Sequence, residues 1–306
     1  MSINTAQAVA TLNGLTAKFD ARAGATKVFY PELCTVVPSK REGENYGWLG
    51  AMPKVREWLG DRVFGQLSAA TYALLNKLWE DSIEIEKTKI EDDVLGMFGP
   101  AFEMLAEEAM KHPDELLFDL LVGGETGLCY DGQYFFDTDH AHGASGAQSN
   151  DLTKTVVSTS AVTVAEFKSA MHAALLAMAA FKNDKGALLN RPTIGEQTDL
   201  LCLVPLQLWE VAKTAINALI ISDTTNVLLS VPKLVASPYL TTGTKFYLFK
   251  NGGVLKPFVF QARRPLSRQM KGLDDHEFKD VKFMCDARYN VGYLAWWNAV
   301  LTTFTT

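Results

Sequence analysis

The chain has 306 residues, 48% apolar and 21% charged, with a formal net charge of −6. That is enough for a sizeable core or two modest domains, in the balance usual for a folded protein. No stretch approaches the roughly 18 uninterrupted apolar residues of a membrane span, and MSINTAQAVATLNGL lacks the basic start and apolar run of a secretory signal.

Residues 1–30 show little hydrophobic periodicity and read as an extended or partly helical arm ending near Tyr30-Pro31. Residues 46–58 and 69–90 flank a turn-rich centre at 59–65. In the second of them Ile83 and Ile85 alternate with Glu84 and Glu86, the period of a strand with one covered face. Together they predict a long two-stranded excursion. An isolated hairpin is marginal in water, so this one is expected to lie on another surface, such as a second subunit. Residues 92–123 read as helical, capped by Asp92-Asp93, broken or kinked at His112-Pro113, and stopped at Gly123-Gly124.

Residues 125–160 are rich in Gly, Ser, Thr, Asn and Asp and read as loop. Thr163 and Glu166 form a capping box for an amphipathic helix over 163–182, with Val164, Phe167, Met171, Leu175 and Met178 on one face. Leu200–Pro205 predicts a buried strand and Leu206–Leu219 a helix. Strands at 245–249 and 254–261 around Asn251-Gly252-Gly253 carry a hairpin signal, and 279–285 with 289–297 predict another strand pair. Cys34, Cys129, Cys202 and Cys285 lie far apart with no CxxC pair, which argues against a zinc site or a disulfide framework.

Charge is segregated along the chain. Glu80 to Asp139 holds 17 acidic residues against Lys87, Lys89 and Lys111, whereas Thr224 to Leu273 holds eight basic residues and no acidic one. Two solvated faces would account for this. A chain with one acidic and one basic surface can equally attract copies of itself head to tail, and heterologous contacts build rings, shells or filaments.

Chemistry-bearing motifs are sparse. Asp137, Asp139, His140 and His142 place two carboxylates and two imidazoles within six residues, a set that could bind a divalent metal. The spacing matches no particular metal, and a self-hydrogen-bonded turn explains it more simply. Gly123-Gly124-Glu125-Thr126-Gly127 lacks the lysine of a phosphate loop, and HExxH, GxSxG and GxGxxG are absent. Neither catalytic nor cofactor-binding residues are assigned. A metal-dependent enzyme built on the Asp137–His142 segment is the alternative reading. Arg263, Arg264 and Arg268 suit intersubunit salt bridges, because an acidic chain is a poor dedicated reader of nucleic acid.

The combined string Val37-Pro38-Ser39, Glu44–Gly50, Met52-Pro53, Arg56-Glu57-Trp58, Gly60-Asp61-Arg62, Ile90–Asp93, His112-Pro113-Asp114, Cys129–His140 and Asp286–Tyr293 resembles the major head subunit of Mu-like phages and prophages. The resemblance spans nearly the whole chain and is strongest over 36–140 and 278–298. It implies an α+β capsid fold of the Hong Kong 97 type: an N-terminal arm (1–35), an extended two-stranded loop (36–91), a spine helix with a peripheral domain (92–194), an axial domain (195–244) and return strands (245–306). It implies a structural protein rather than an enzyme, with no cofactor, that self-assembles into the hexamers and pentamers of an icosahedral shell. The shell would enclose double-stranded DNA without sequence-specific contacts and would be assembled in the host bacterial cytoplasm without membrane attachment. Separate scaffold or protease, portal and decoration proteins would be its partners. The expected intersubunit contacts are Trp48, Trp58, Arg62, Glu84, Glu86, Arg263, Arg264 and Arg268.

Overall fold

The structure, a computed structural model, describes residues 5–46, 72–91, 97–190, 199–218, 220–221, 224–225, 232–271 and 280–306. Its chain order begins with α1 (Thr5–Ala25), α2 (Tyr30–Leu33), β1 (Cys34–Pro38), β2 (Gly43–Asn45), β3 (Ala73–Leu75), β4 (Lys77–Glu86), α3 (Lys87–Glu91) and α4 (Gly99–Val122). There follow β5 (Asp151–Thr155), α5 (Val164–Ala180), β6 (Leu200–Pro205), α6 (Trp209–Asn217), β7 (Ile220–Ile221), β8 (Thr224–Thr225), β9 (Lys233–Ser237), β10 (Lys245–Lys250), β11 (Phe258–Lys271), β12 (Asp280–Tyr293) and β13 (Ala299–Thr305).

Two main sheets organise these elements. One has the order β1-β11-β12-β4, the other β5-β13-β10-β6-β9. The first is long and narrow, since β11 and β12 each run 14 residues. Along β12 the odd positions Val281, Phe283, Cys285, Ala287, Tyr289, Val291 and Tyr293 are buried, while the even ones from Asp280 to Asn290 are partly or fully exposed. This period of two gives the sheet a covered and an open face. α1 and α4 fill the covered face: Leu12, Leu15, Phe19, Phe102, Leu105 and Ala106 share a core with Ile85, Val281, Phe283 and Cys285. The larger core lies around the five-stranded sheet, where β6 and β10 are buried almost throughout and α5 and α6 supply Phe167, Met171, Met178, Ala212 and Ile216.

α4 runs unbroken through Pro113, where a break or kink was expected. An interior proline removes one helical hydrogen bond and costs about 3 kcal/mol. The helix tolerates it because both of its ends are anchored. Phe102 and Leu105 sit in one core, and Leu117, Phe118 and Leu121 sit in the other. The expected cap at Asp92-Asp93 lies outside the described residues, and the helix instead opens after Phe98 with Pro100 in its first turn.

Other expectations are corrected by pairing. The strand at 77–86 exists, buries Ile85 and pairs with β12, Ile85 opposite Val281, while residues 47–58, the expected other half of the excursion, lie outside the described residues. β10 and β11 do not form a hairpin. β10 pairs with β6 and β13, β11 with β1 and β12, so residues 251–257 carry the chain from one sheet to the other. The pair expected at 279–297 is the single strand β12 followed by a short 3-10 turn at Trp296–Asn298. The region 125–160, read wholly as loop, contributes β5, parallel to β13. The capping box is present: Glu166 N donates to Thr163 Oγ1 at 3.3 Å and Thr163 N donates to Glu166 Oε2 at 2.8 Å.

Candidate functional site

Residues 124–150 join the two sheets, and aromatic rings make the joint. The Phe135 ring stacks on Tyr293 at 4.8 Å and meets Phe258 at 5.0 Å, both in the long sheet. Phe136 turns to Tyr247 of β10 at 5.6 Å. Both phenylalanines are buried, and the chain has room for them because Gly124 and Gly127 present no side chain. A Cβ on Gly124 would come within 2.6 Å of the Phe136 ring, and one on Gly127 would overlap the Tyr293 ring. Asn150 finishes the joint, donating from Nδ2 to Phe135 O at 2.8 Å and to Trp296 O at 3.3 Å.

The four candidate metal ligands do not converge. His140 is fully buried, stacked on the Trp296 indole at 4.0 Å with ring planes 4° apart, and its Nδ1 lies 2.7 Å from Asp131 Oδ2. Asp137 is a turn acceptor, receiving Tyr134 N at 3.2 Å and Thr138 N at 2.7 Å. His142 N donates to Ser145 Oγ at 2.9 Å. Among the described residues no three His, Cys, Asp or Glu side chains gather as metal ligands would. The arrangement has the chemistry of a structural lock rather than of a reaction centre.

The base of the expected extended loop is well defined. Tyr46 N donates to Tyr72 O at 2.8 Å, next to the β2–β3 pairing. Buried Gln261 holds this base to the long sheet. Its Oε1 accepts from Tyr46 Oη at 3.0 Å, and its Nε2 donates to Leu74 O at 3.0 Å and Asn76 Oδ1 at 2.8 Å. Trp48, Trp58 and Arg62 lie outside the described residues.

The remaining expected contact residues all lie on the long sheet, several already engaged within the chain. Glu84 pairs with Lys282 at 3.1 Å and Glu86 with Lys89 at 3.4 Å. Arg264 pairs with Asp286, and Arg268 Nε donates to Asp20 Oδ1 at 2.7 Å. Arg263 Nη1 donates to Ser39 O at 3.3 Å. The acidic and basic segments are thus partly neutralised at home. Among the described residues no ion pair engages Glu103, Glu108, Glu115 or Asp119 of α4, nor Arg288 of β12. Arg288 was not among the expected contacts, because it falls outside the basic run and only the pairing of β12 with β11 brings it alongside Arg264.

Two anchors of the N-terminal segment also went unread. Asp114, just after the proline, accepts Phe29 N and Tyr30 N at 2.6–2.9 Å and fixes the end of the arm to α4. Burial pushes its carboxyl up, and these two amide donors oppose the shift. Arg22 Nε donates to Glu107 Oε2 at 3.0 Å. Together with the Lys111 ammonium, which contributes most, this holds the Glu107 carboxyl down at about 2.

The long helix packed on a narrow sheet and the second sheet have counterparts among known proteins. The profile of the family described as Mu-like prophage major head subunit gpT matches residues 9–162 and 241–303. The chain belongs to that family. The family is one of structural capsid subunits, not of enzymes, and the metal-enzyme alternative draws no support from it. The Mu-like prophage FluMu major head subunit of Haemophilus influenzae is 46% identical over 116 residues, a match spanning 38% of this chain and 38% of that protein. Among solved structures, the procapsid of bacteriophage JBD30 contains a chain with 26% identity and a TM-score of 0.52, over 97% of this chain and 76% of that one. A chain of the mature capsid of bacteriophage PhiM1 has a TM-score of 0.60 at 8% identity, over 92% of this chain and 88% of that one. The last likeness speaks for the fold alone: an α+β capsid fold of the Hong Kong 97 type. Among the described residues no helix is long and apolar enough to cross a membrane.

Proposed function

We propose that this chain is the subunit from which a Mu-like phage or prophage builds its icosahedral head, assembling into hexamers and pentamers around double-stranded DNA in the host cytoplasm. The observation that carries this reading is the family match on both sides of the chain, 9–162 and 241–303, which takes in α4 and both long strands. In this reading residues 1–35 are the arm, 36–91 contain the extended loop, 92–194 the spine helix and peripheral domain, 195–244 the axial domain and 245–306 the return strands. α4 is the spine. Scaffold or protease, portal and decoration functions belong to other proteins, and DNA is held without sequence-specific contacts.

The loop carrying Trp48, Trp58 and Arg62 lies across a neighbouring subunit, and Glu84, Glu86, Arg263, Arg264 and Arg268 lie at or near intersubunit contacts. Two supports favour this. Both ends of residues 47–71 leave from one paired base, and the charges of the two segments are opposite. Burial of an indole contributes on the order of 2–3 kcal/mol at each repeated interface. Negative-stain electron microscopy of the expressed chain, with and without the neighbouring phage genes, tests the reading. Closed shells, or rings of five and six, are expected. A monodisperse monomer even in the presence of those genes would overturn it.

A further inference from the structure

The open face of the long sheet has a basic corner that the chain does not neutralise. In the β11–β12 ladder Arg264 stands directly opposite Arg288, with Arg263 beside it. Like charges directly opposite one another on neighbouring strands are destabilising. Among the described residues the only carboxylate ion-paired to these three arginines is Asp286, which takes Arg264. The Arg41 backbone adjoins the corner through Asn76, whose Nδ2 donates to Arg41 O at 2.9 Å. Asn76, Leu78 and the three arginines line a concavity of about 500 Å³. Three guanidinium groups thus line one hollow, and among the described residues one of them, Arg264, is ion-paired to a carboxylate.

We propose that this corner receives carboxylates of a second copy, supplied by the outer stripe of α4: Glu108, Glu115 and Asp119. These three are spaced seven and four residues apart, so they share one helical face. They have no ion-paired cation in their own chain among the described residues, and α4 covers the sheet face opposite the corner. Among the described residues no ion pair joins the two charge sets within the chain, which leaves both available to a second copy. A DNA phosphate backbone fits less well. Glu80, Glu84 and Glu86 of β4 follow on the same sheet. At about 3.3 Å per residue, Glu80 and Glu84 come roughly 7 and 20 Å along the strand from Leu78, which faces Arg288, so a strand of phosphates leaving the corner would soon run over carboxylates.

The inference rests on the shell reading, and charge exchange tests it. A chain with Arg263→Glu and Arg288→Glu, and a chain with Glu108→Lys, Glu115→Lys and Asp119→Lys, are each expected to lose shell yield at least tenfold, because like charges across an interface cost several kcal/mol. Mixed, they should recover closed shells. Thermal unfolding followed by circular dichroism checks that both variants fold. Wild-type assembly in the absence of any effect of Arg263→Glu and Arg288→Glu would sink the corner alone. So would two folded variants that fail to complement, or loss of duplex DNA binding by the arginine variant with assembly intact. Failure of the wild-type chain to form shells with its neighbouring genes would instead sink the capsid reading.

Discussion

Tyr293 packs its ring over Gly127 and donates its hydroxyl to Leu120 O at 2.8 Å, so the loop, α4 and the long sheet meet at one residue. Gly127→Ala drives a methyl into that ring. Overpacking of this kind typically costs about 1–3 kcal/mol, and a urea-denaturation midpoint lowered by that amount is expected. Val157→Ala, at a site 91% exposed, should leave the midpoint unmoved. Asp131 and His140 make the second residue-scale case. Asp131→Ala leaves the buried Nδ1 without its partner, which should cost about 1–3 kcal/mol by the same measurement. Binding of a divalent ion by the wild-type chain, abolished by His140→Ala, would contradict the structural role. The sequence made 125–160 legible as a loop, within which Phe135-Phe136 is an apolar pair. It could not show that one ring enters each sheet, because the partners Tyr293 and Tyr247 lie more than 100 residues away.

At the scale of elements, α1 is where sequence reading fell furthest short. Leu12, Leu15, Phe19 and Ala23 do recur at helical spacing, but the alanines and polar residues between them dilute the pattern, and the docking partners Phe102 and Phe283 are remote in sequence. By contrast α5 and β6 were legible, since the one carries its own capping box and the other a continuous apolar run. Pro113 misled for a physical reason: a local penalty was outweighed by burial at both ends of α4. Phe19→Ala removes a ring that is 2% exposed and 5.1 Å from Phe283. Core truncations of phenylalanine cost about 3–5 kcal/mol, more than one surface helix is expected to hold by itself. α1 should therefore lose amide-exchange protection before β12 does. Acid should act on the same element. Glu107 is held down to about 2 by Lys111 and Arg22, and Asp20 is lowered by its hydrogen bond to Arg268. Carboxylates with depressed folded values stabilise above their ordinary range and lose that contribution as pH falls through it, here from about 4.5 toward 2. Asp114, raised by burial, works the other way and does not weaken the arm on acidification. Protection factors of α1 amides should drop between pH 7 and pH 3 relative to those of β10. Equal protection at both values would show that the ion pairs contribute nothing to docking.

For the whole molecule, charge segregation was the most legible property and the structure sharpens what it can do. Several of the charges that looked available, Arg264, Arg268 and Glu84 among them, are spent within the chain, so the net field between copies rests on fewer groups than the sequence count implies. Surface pairs of this sort are individually weak and strongly screened. The Debye length falls from about 10 Å at 0.1 M salt to about 3 Å at 1 M, which removes attraction between approaching subunits while leaving apolar burial intact. If opposite charges steer assembly, light scattering should show shell formation slowing several-fold over that range, with the urea midpoint of the unassembled chain nearly constant. The indoles of the 47–71 segment predict the opposite dependence, since apolar contacts do not weaken with sodium chloride. A Trp58→Ala chain should then assemble poorly at every salt concentration yet unfold at the wild-type midpoint. A rate that rises with salt in the wild-type chain would assign assembly to the apolar contacts and leave the charges the lesser task of choosing orientation.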